Sequence, residues 1–152
     1  MTNVEIKDVK AQHIASIRVT VSMAEIGKTM GEIFPEIMGY LQKIRSYPTG
    51  PPLSLYHNHY ENAMDVEVGI PIAAPIPEEG RITSGITPEG EVAYTLHNGP
   101  YKTLPTAYNA IMTWFKENGK EFSWPAWEIY LTGPQKESDT SKWRTEIYWP
   151  YK

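Results

Sequence analysis

Apolar residues recur along this chain with two periods, and the whole pattern is then stated a second time. In "HIASIRVTV", Ala15, Ile17, Val19 and Val21 fall on every second position, the spacing of a strand with one covered face. The period then lengthens. Ile26, Met30, Ile33, Ile37, Leu41 and Ile44 follow at steps of three or four, the stripe of an amphipathic helix. Ser22 and Glu25 have the S-x-x-E spacing that predicts a capping box at its start. Pro35 lacks an N–H and crowds the preceding turn, so a kink is expected there, or a break into two helical pieces. "PTGPP" closes the segment, and "LSLYHNHY" and "AMDVEVGIPI" predict two strands joined by a short turn.

The second statement begins at "EVAYTLH", again a strand. "NGPYKT" turns the chain, and Leu104, Tyr108, Ile111 and Phe115 give the stripe of a shorter helix. Pro105 falls in its first turn, where proline is tolerated, and Asn118-Gly119 supplies a stop. "AWEIYLTG" and "KWRTEIYWP" are the last two strands, separated by the polar loop "PQKESDTS". The alignment is residue by residue. "MDVEVGIP" matches "WRTEIYWP" at an offset of 79, which pairs Glu67 with Glu146. "PPLSLY" matches "PAWEIY", and "IMGYLQK" matches "IMTWFKE", both at an offset of 74. "IASI" from Ile14 matches "VAYT" from Val92 at 78.

The expected fold is therefore α+β: one domain over residues 1–152, made of tandem strand-helix-strand-strand modules. Repeat 1 spans about 4–71, a Pro- and Gly-rich connector about 72–90, with a short strand at "RITSGI", and repeat 2 about 91–150. Such modules are expected to pack about a pseudo-twofold axis with a central ligand groove, helices covering the other side of the sheet. Strand parity puts Val66, Val68, Ile70, Thr145, Ile147 and Trp149 under the helices, and also Trp127. It turns Asp65, Glu67, Arg144, Glu146 and Tyr148 toward the groove.

Composition narrows the function. Fourteen Lys and Arg against eighteen Asp and Glu give a formal charge of −4 with no basic run, so the footprint of a nucleic-acid binder is missing. The absence of cysteine excludes disulfides, thiolate metal sites and cysteine nucleophiles. "MTNVEIKDVK" has neither the basic nor the apolar region of a signal peptide, and no apolar run approaches the roughly 20 residues of a membrane span. A cytoplasmic location is expected. Ten Tyr and five Trp are generous, and such rings recur in ligand pockets.

Three motifs in order, H-x-G-P-Y at residue 97, E-x-Y-L-x-x-P at 128 and T-E-I-x-x-P at 145, resemble the GyrI-like small-molecule-binding domain. That family comprises gyrase-inhibitory proteins and the effector-binding domains of AraC-type and MerR-type regulators. The resemblance implies capture of planar or cationic hydrophobic compounds in a central groove, with a glutamate among the contacts; by motif this is Glu146. It also implies two alternatives: a hydrolase of cyclopropane-bearing alkylating natural products, or a gyrase-interacting inhibitory protein. No helix-turn-helix fits ahead of the domain, so direct DNA binding is not expected, and a protein partner would be gyrase or a separate regulator.

Among single residues, Glu146 and Tyr148 share groove parity. If Glu146 is ionised it attracts a cation, with Arg144 a candidate neighbour; beside an activated ring it is a candidate acid or base. Glu128 and Tyr130 share a strand face, and Tyr130 and its repeat mate Tyr56 are expected to flank the groove. In the enzymatic alternative Glu146 guides water while Tyr130 polarises the substrate. Glu67 is a possible second groove carboxylate or a relic of duplication, and Tyr94 has ambiguous parity. His57 and His59 project from one strand face without a third ligand at diagnostic spacing, so neither metal nor cofactor is expected. His97 reads as a turn-ordering residue.

Overall fold

The computed structural model describes residues 3–132 and 137–152 and divides into two compact units, Lys10–Pro88 and Met1–Val9 with Glu89–Lys152. The first unit holds β2 only after β1, a strand at Glu5–Val9 that belongs to the second. Its elements are β2 (His13–Ser22), α1 (Ile26–Ile44), β3 (Leu53–His59), β4 (Ala63–Ile72) and β5 (Thr83–Ile86). The second unit adds to β1 the strand β6 (Gly90–Asn98), helix α2 (Leu104–Glu117), β7 (Ala126–Thr132) and β8 (Arg144–Pro150).

Each unit is an antiparallel four-stranded sheet with one helix on one face, in the orders β5-β2-β4-β3 and β1-β6-β8-β7. The duplication holds at the level of register. Ser54 faces Val68 as Glu128 faces Ile147, and Ser16 faces Gly69 as Tyr94 faces Tyr148. The same irregularity recurs, between Tyr56 and Asn58 in β3 and between Tyr130 and Thr132 in β7.

The helices take the covered face by burying their stripes. Ile33, Ile37 and Leu41 of α1 pack on Ala15, Ile17, Val66, Val68 and Ile70. Ala107, Ile111 and Phe115 of α2 pack on Ala93, Ile147 and Trp149. Burying such side chains stabilises by about 1.5–3 kcal/mol each. Neither the capping box nor a break at Pro35 is found in α1. No side-chain cap bond forms at its start, where Glu25 is the N-cap and its N–H donates to the Ser22 carbonyl at 3.1 Å. The helix also runs unbroken through Pro35, which is exposed, because the stripe on either side of it is anchored to one sheet and packing outweighs local propensity.

Two strand readings also change. The segment around residues 5–9, assigned by sequence to the first repeat, pairs instead with β6, Ile6 opposite Ala93 and Lys7 opposite Val92. Trp127 does not lie under α2: it stands opposite Tyr148, on the uncovered face. Part of the polar loop, residues 133–136, lies outside the described residues. No helix is long and apolar enough to cross a membrane among the described residues.

Candidate functional site

Antiparallel pairing sorts the candidate residues of the second unit onto two faces, because residues directly opposite one another share a side. On the face turned away from α2, Trp127, Tyr148 and Tyr94, all three buried, form one row across β7, β8 and β6. The rings of Trp127 and Tyr148 stack at 5.2 Å with an interplanar angle of 6°, and Tyr94 tilts against Tyr148 at 5.0 Å. Glu146 stands in the next row, between Leu96 and Ile129, half-buried, and accepts a 2.7 Å hydrogen bond from the Tyr94 hydroxyl. Burial, with the bond to and charge of Glu146, pushes the Tyr94 hydroxyl well above its ordinary range, and burial and the same charge do so for Tyr148. Both phenols hold their protons, and Tyr94 donates its own to Glu146. Arg144 is not the partner of Glu146: its guanidinium donates to the carbonyls of Lys142 and Trp143, at 2.9 and 3.3 Å.

Glu128 and Tyr130 go to the other face. Glu128 lies opposite Ile147 and Tyr130 opposite Thr145, both on the side that α2 covers, so neither is near Glu146 in the way the sequence led us to expect. What they join is a second constellation. Glu128 is 4% exposed. One of its oxygens accepts from the Tyr130 hydroxyl at 2.9 Å, and the other from the Tyr108 hydroxyl, which α2 delivers from above. Tyr101, in the 3-10 turn before α2, packs edge-on to Tyr130 at 5.7 Å and against Trp143 at 4.8 Å. Burial and then the charge of Glu128 raise both Tyr108 and Tyr101 above the ordinary tyrosine range. Beside Tyr130, the fully buried Thr145 Oγ1 has no hydrogen-bond partner among the described residues.

His97 orders the turn beside this cluster. Its Nε2 lies 2.9 Å from Thr103 Oγ1 and 3.1 Å from the Pro100 carbonyl, closing the turn that carries Tyr101. Gly99, at φ 129°, occupies a conformation that side-chain-bearing residues rarely adopt. Sequence reasoning singled out Glu128, Tyr130 and His97 as candidates, but not Tyr108, Tyr101 or Trp143. The available signal was Tyr108 itself, a phenol inside an apolar helical stripe.

The first unit serves as an internal control, since it has the same architecture. At the positions of Glu128, Tyr108, Tyr130 and Thr145 it carries Ser54, Phe34, Tyr56 and Val66. Phe34, Tyr56 and Val66 pack in its apolar core. Its uncovered face has a carboxylate as well. Glu67 accepts from Ser16 Oγ at 2.5 Å and lies 2.8 Å from His57 Nε2. Burial pushes Glu67 up, but the His57 and Ser16 bonds outweigh it and hold the carboxyl below its usual range. The acid held by a hydroxyl on the neighbouring strand is thus common to both units, Ser16 to Glu67 and Tyr94 to Glu146. The buried acid beneath three tyrosines belongs to the second unit alone. No group of three His, Asp or Glu side chains among the described residues is arranged to hold a metal ion.

Comparison with known proteins agrees with this architecture. The family of GyrI-like small molecule binding domains matches residues 2–152. The crystal structure of the EcmrR C-terminal domain superposes with a TM-score of 0.90 at 25% identity, covering 100% of this chain and 98% of that one. EcmrR in its DNA complex gives a TM-score of 0.88 at 25% identity, and there 99% of this chain covers 57% of the longer EcmrR chain. SAV2435 bound to tetraphenylphosphonium shares the fold, with a TM-score of 0.69 at 13% identity over 99% of this chain and 94% of that one. No curated protein matches the sequence.

Proposed function

The chain belongs to the family of GyrI-like small-molecule binding domains, and we propose that the molecule this member captures is a ring-bearing organic cation held over Glu128. The observation that carries this reading is the carboxylate at 4% exposure, bonded by Tyr108 and Tyr130, with Tyr101 against Tyr130 and Trp143 against Tyr101, at a place where the first unit manages with Ser54 and Phe34. Removing an acid from water costs several kcal/mol in this kind of surrounding, and the duplicated architecture does without it. A cation arriving among the rings gains both the carboxylate's charge and attraction of about 0.5–2 kcal/mol per favourable ring face. That SAV2435 takes tetraphenylphosphonium, a cation clothed in rings, supports the class of ligand.

Titration with tetraphenylphosphonium, followed by quenching of tryptophan fluorescence, tests the reading. Glu128→Gln keeps the shape and the hydrogen-bond acceptor while removing the charge, so affinity should fall about tenfold, equivalent to roughly 1.4 kcal/mol. An unchanged affinity would remove Glu128 from the site. The geometry also relocates the enzymatic alternative. Glu146 and Tyr130 sit on opposite faces and do not converge on one bond, whereas Glu128 and Tyr130 stand 2.9 Å apart, a carboxylate to guide water beside a phenol to donate to a developing oxyanion. Hydrolytic opening of a cyclopropane-bearing alkylator, followed by mass spectrometry, should then stop in both Glu128→Gln and Tyr130→Phe. If the compound is held without conversion, binding alone is the activity.

A further inference from the structure

The Glu146 face is left unused by that reading, although it has the parts of a cation receptor: the buried Tyr94 ring, the buried and stacked Tyr148–Trp127 pair, and a half-buried carboxylate at their edge. A cation already sits there. Lys7 Nζ of β1 lies over the Tyr94 ring, 3.7 Å from its centroid, while the hydroxyl of that ring donates to Glu146. The titratable groups around it are Glu146, Tyr148 and Glu5, which stands opposite Tyr94 in the register.

We propose that Lys7 is a built-in occupant of this face, its ammonium standing where an organic cation would bind, and that the face is a second cation site kept closed by the chain's own side chain. The first unit shows that the fold does not require a lysine here. The register position equivalent to Lys7, opposite Ile14 as Lys7 is opposite Val92, is Gly85. A side-chain carbon at Gly85 would come within 2.8 Å of Glu67 Oε2, so in that unit the carboxylate itself fills the space. The row beneath is also different, Leu53, Gly69 and Ser16 in place of Trp127, Tyr148 and Tyr94. Rings and lysine therefore occur together in one unit, and both are missing from the other.

Lys7 acts on specificity through charge. An incoming ammonium or phosphonium meets a like charge at the one ring face that is bonded to the carboxylate, and must displace it from an edge strand. Removing the charge while keeping the stem should admit the cation. Calorimetric titration of tetraphenylphosphonium into the wild-type chain, Lys7→Met and Lys7→Met/Glu146→Gln decides the matter. Lys7→Met should show a binding event additional to the wild type, or an affinity raised about five- to tenfold, the scale of one exposed to partly desolvated cation–π contact. That gain should vanish in the double variant. An isotherm for Lys7→Met identical to the wild type overturns the proposal, and so does a gain that survives Glu146→Gln. Lys7→Gln, with a polar uncharged side chain, gives the same comparison should methionine disturb β1. The Glu128 reading is judged separately, by Glu128→Gln in the wild-type background.

Discussion

At the scale of single residues, Glu128 is a charged-type side chain that is costly to bury. A carboxyl at 4% exposure gives up hydration, and the Tyr108 and Tyr130 hydroxyls are among the groups that replace it. The first unit supplies the design for removing it. Glu128→Ser with Tyr108→Phe copies Ser54 and Phe34, and should leave thermal stability unchanged or raise it by about 1–3 kcal/mol, while tetraphenylphosphonium binding falls at least tenfold. A melting temperature lowered by several degrees would make Glu128 a structural residue instead. The tyrosines give a pH prediction. Folding raises Tyr94, Tyr148 and Tyr108 above the ordinary value of 10.0, so the folded chain holds these protons more tightly than the unfolded one. Their contribution is complete below about pH 10 and is lost as pH rises beyond it, where unfolded tyrosine ionises and folded tyrosine does not. Phenolate absorbance should thus appear for these residues together with alkaline unfolding, and Tyr94→Phe should shift that unfolding to higher pH. The sequence exposed Glu128 and Tyr130 by motif. It misled on the pairing of Tyr130 with Glu146, because parity along one strand says nothing about which face a neighbouring strand presents.

At the scale of elements, α1 illustrates packing overruling a local rule. Pro35 removes one helical hydrogen bond and crowds the preceding turn, a cost of about 3 kcal/mol in a helix interior, yet the helix is continuous from Ile26 to Ile44. Ile33 and Ile37 on either side of it are fully buried on the same sheet, and their burial offsets the defect. Pro35→Ala should therefore stabilise the protein by about 1–3 kcal/mol, raising the melting temperature by about 2–4 °C per kcal/mol. A melt that does not move would mean that the proline costs nothing in this setting. Trp127 teaches a related point. Its strand was recognised correctly, but the face of β7 is set by its pairing with β8, where Trp127 meets Tyr148 and Glu128 meets Ile147.

At the scale of the whole molecule, the chain does not fill its two units in order. Glu5–Val9 precedes β2 by a few residues, yet it completes the sheet of the second unit by pairing with Tyr94–Gly90. Deleting residues 1–9 should accordingly strip amide-exchange protection from β6, in the second unit, and leave β2, its neighbour in sequence, protected. Loss of protection along β2 instead would contradict this pairing. The same deletion removes Lys7, so it joins the edge of the sheet to the proposed closure of the Glu146 face.

Hydrophobic spacing alone determined the elements, because a period of two or of three to four is read from neighbours along the chain: the strands from His13, Leu53, Ala63, Gly90, Ala126 and Arg144, and both helices. It also determined the duplication, since equal offsets need no coordinates. Only the tertiary structure decided that β1 crosses to the second unit, that Glu128 gathers Tyr108 and Tyr130 beneath α2, and that Lys7 lies over Tyr94. Tyr130 is only two positions from Glu128, but the other partners are distant, with Tyr108 and Glu128 separated by 20 positions, and Tyr94 and the Glu146 it bonds by 52. Register between strands is fixed by backbone pairing across the sheet, and no local pattern in either strand carries that information.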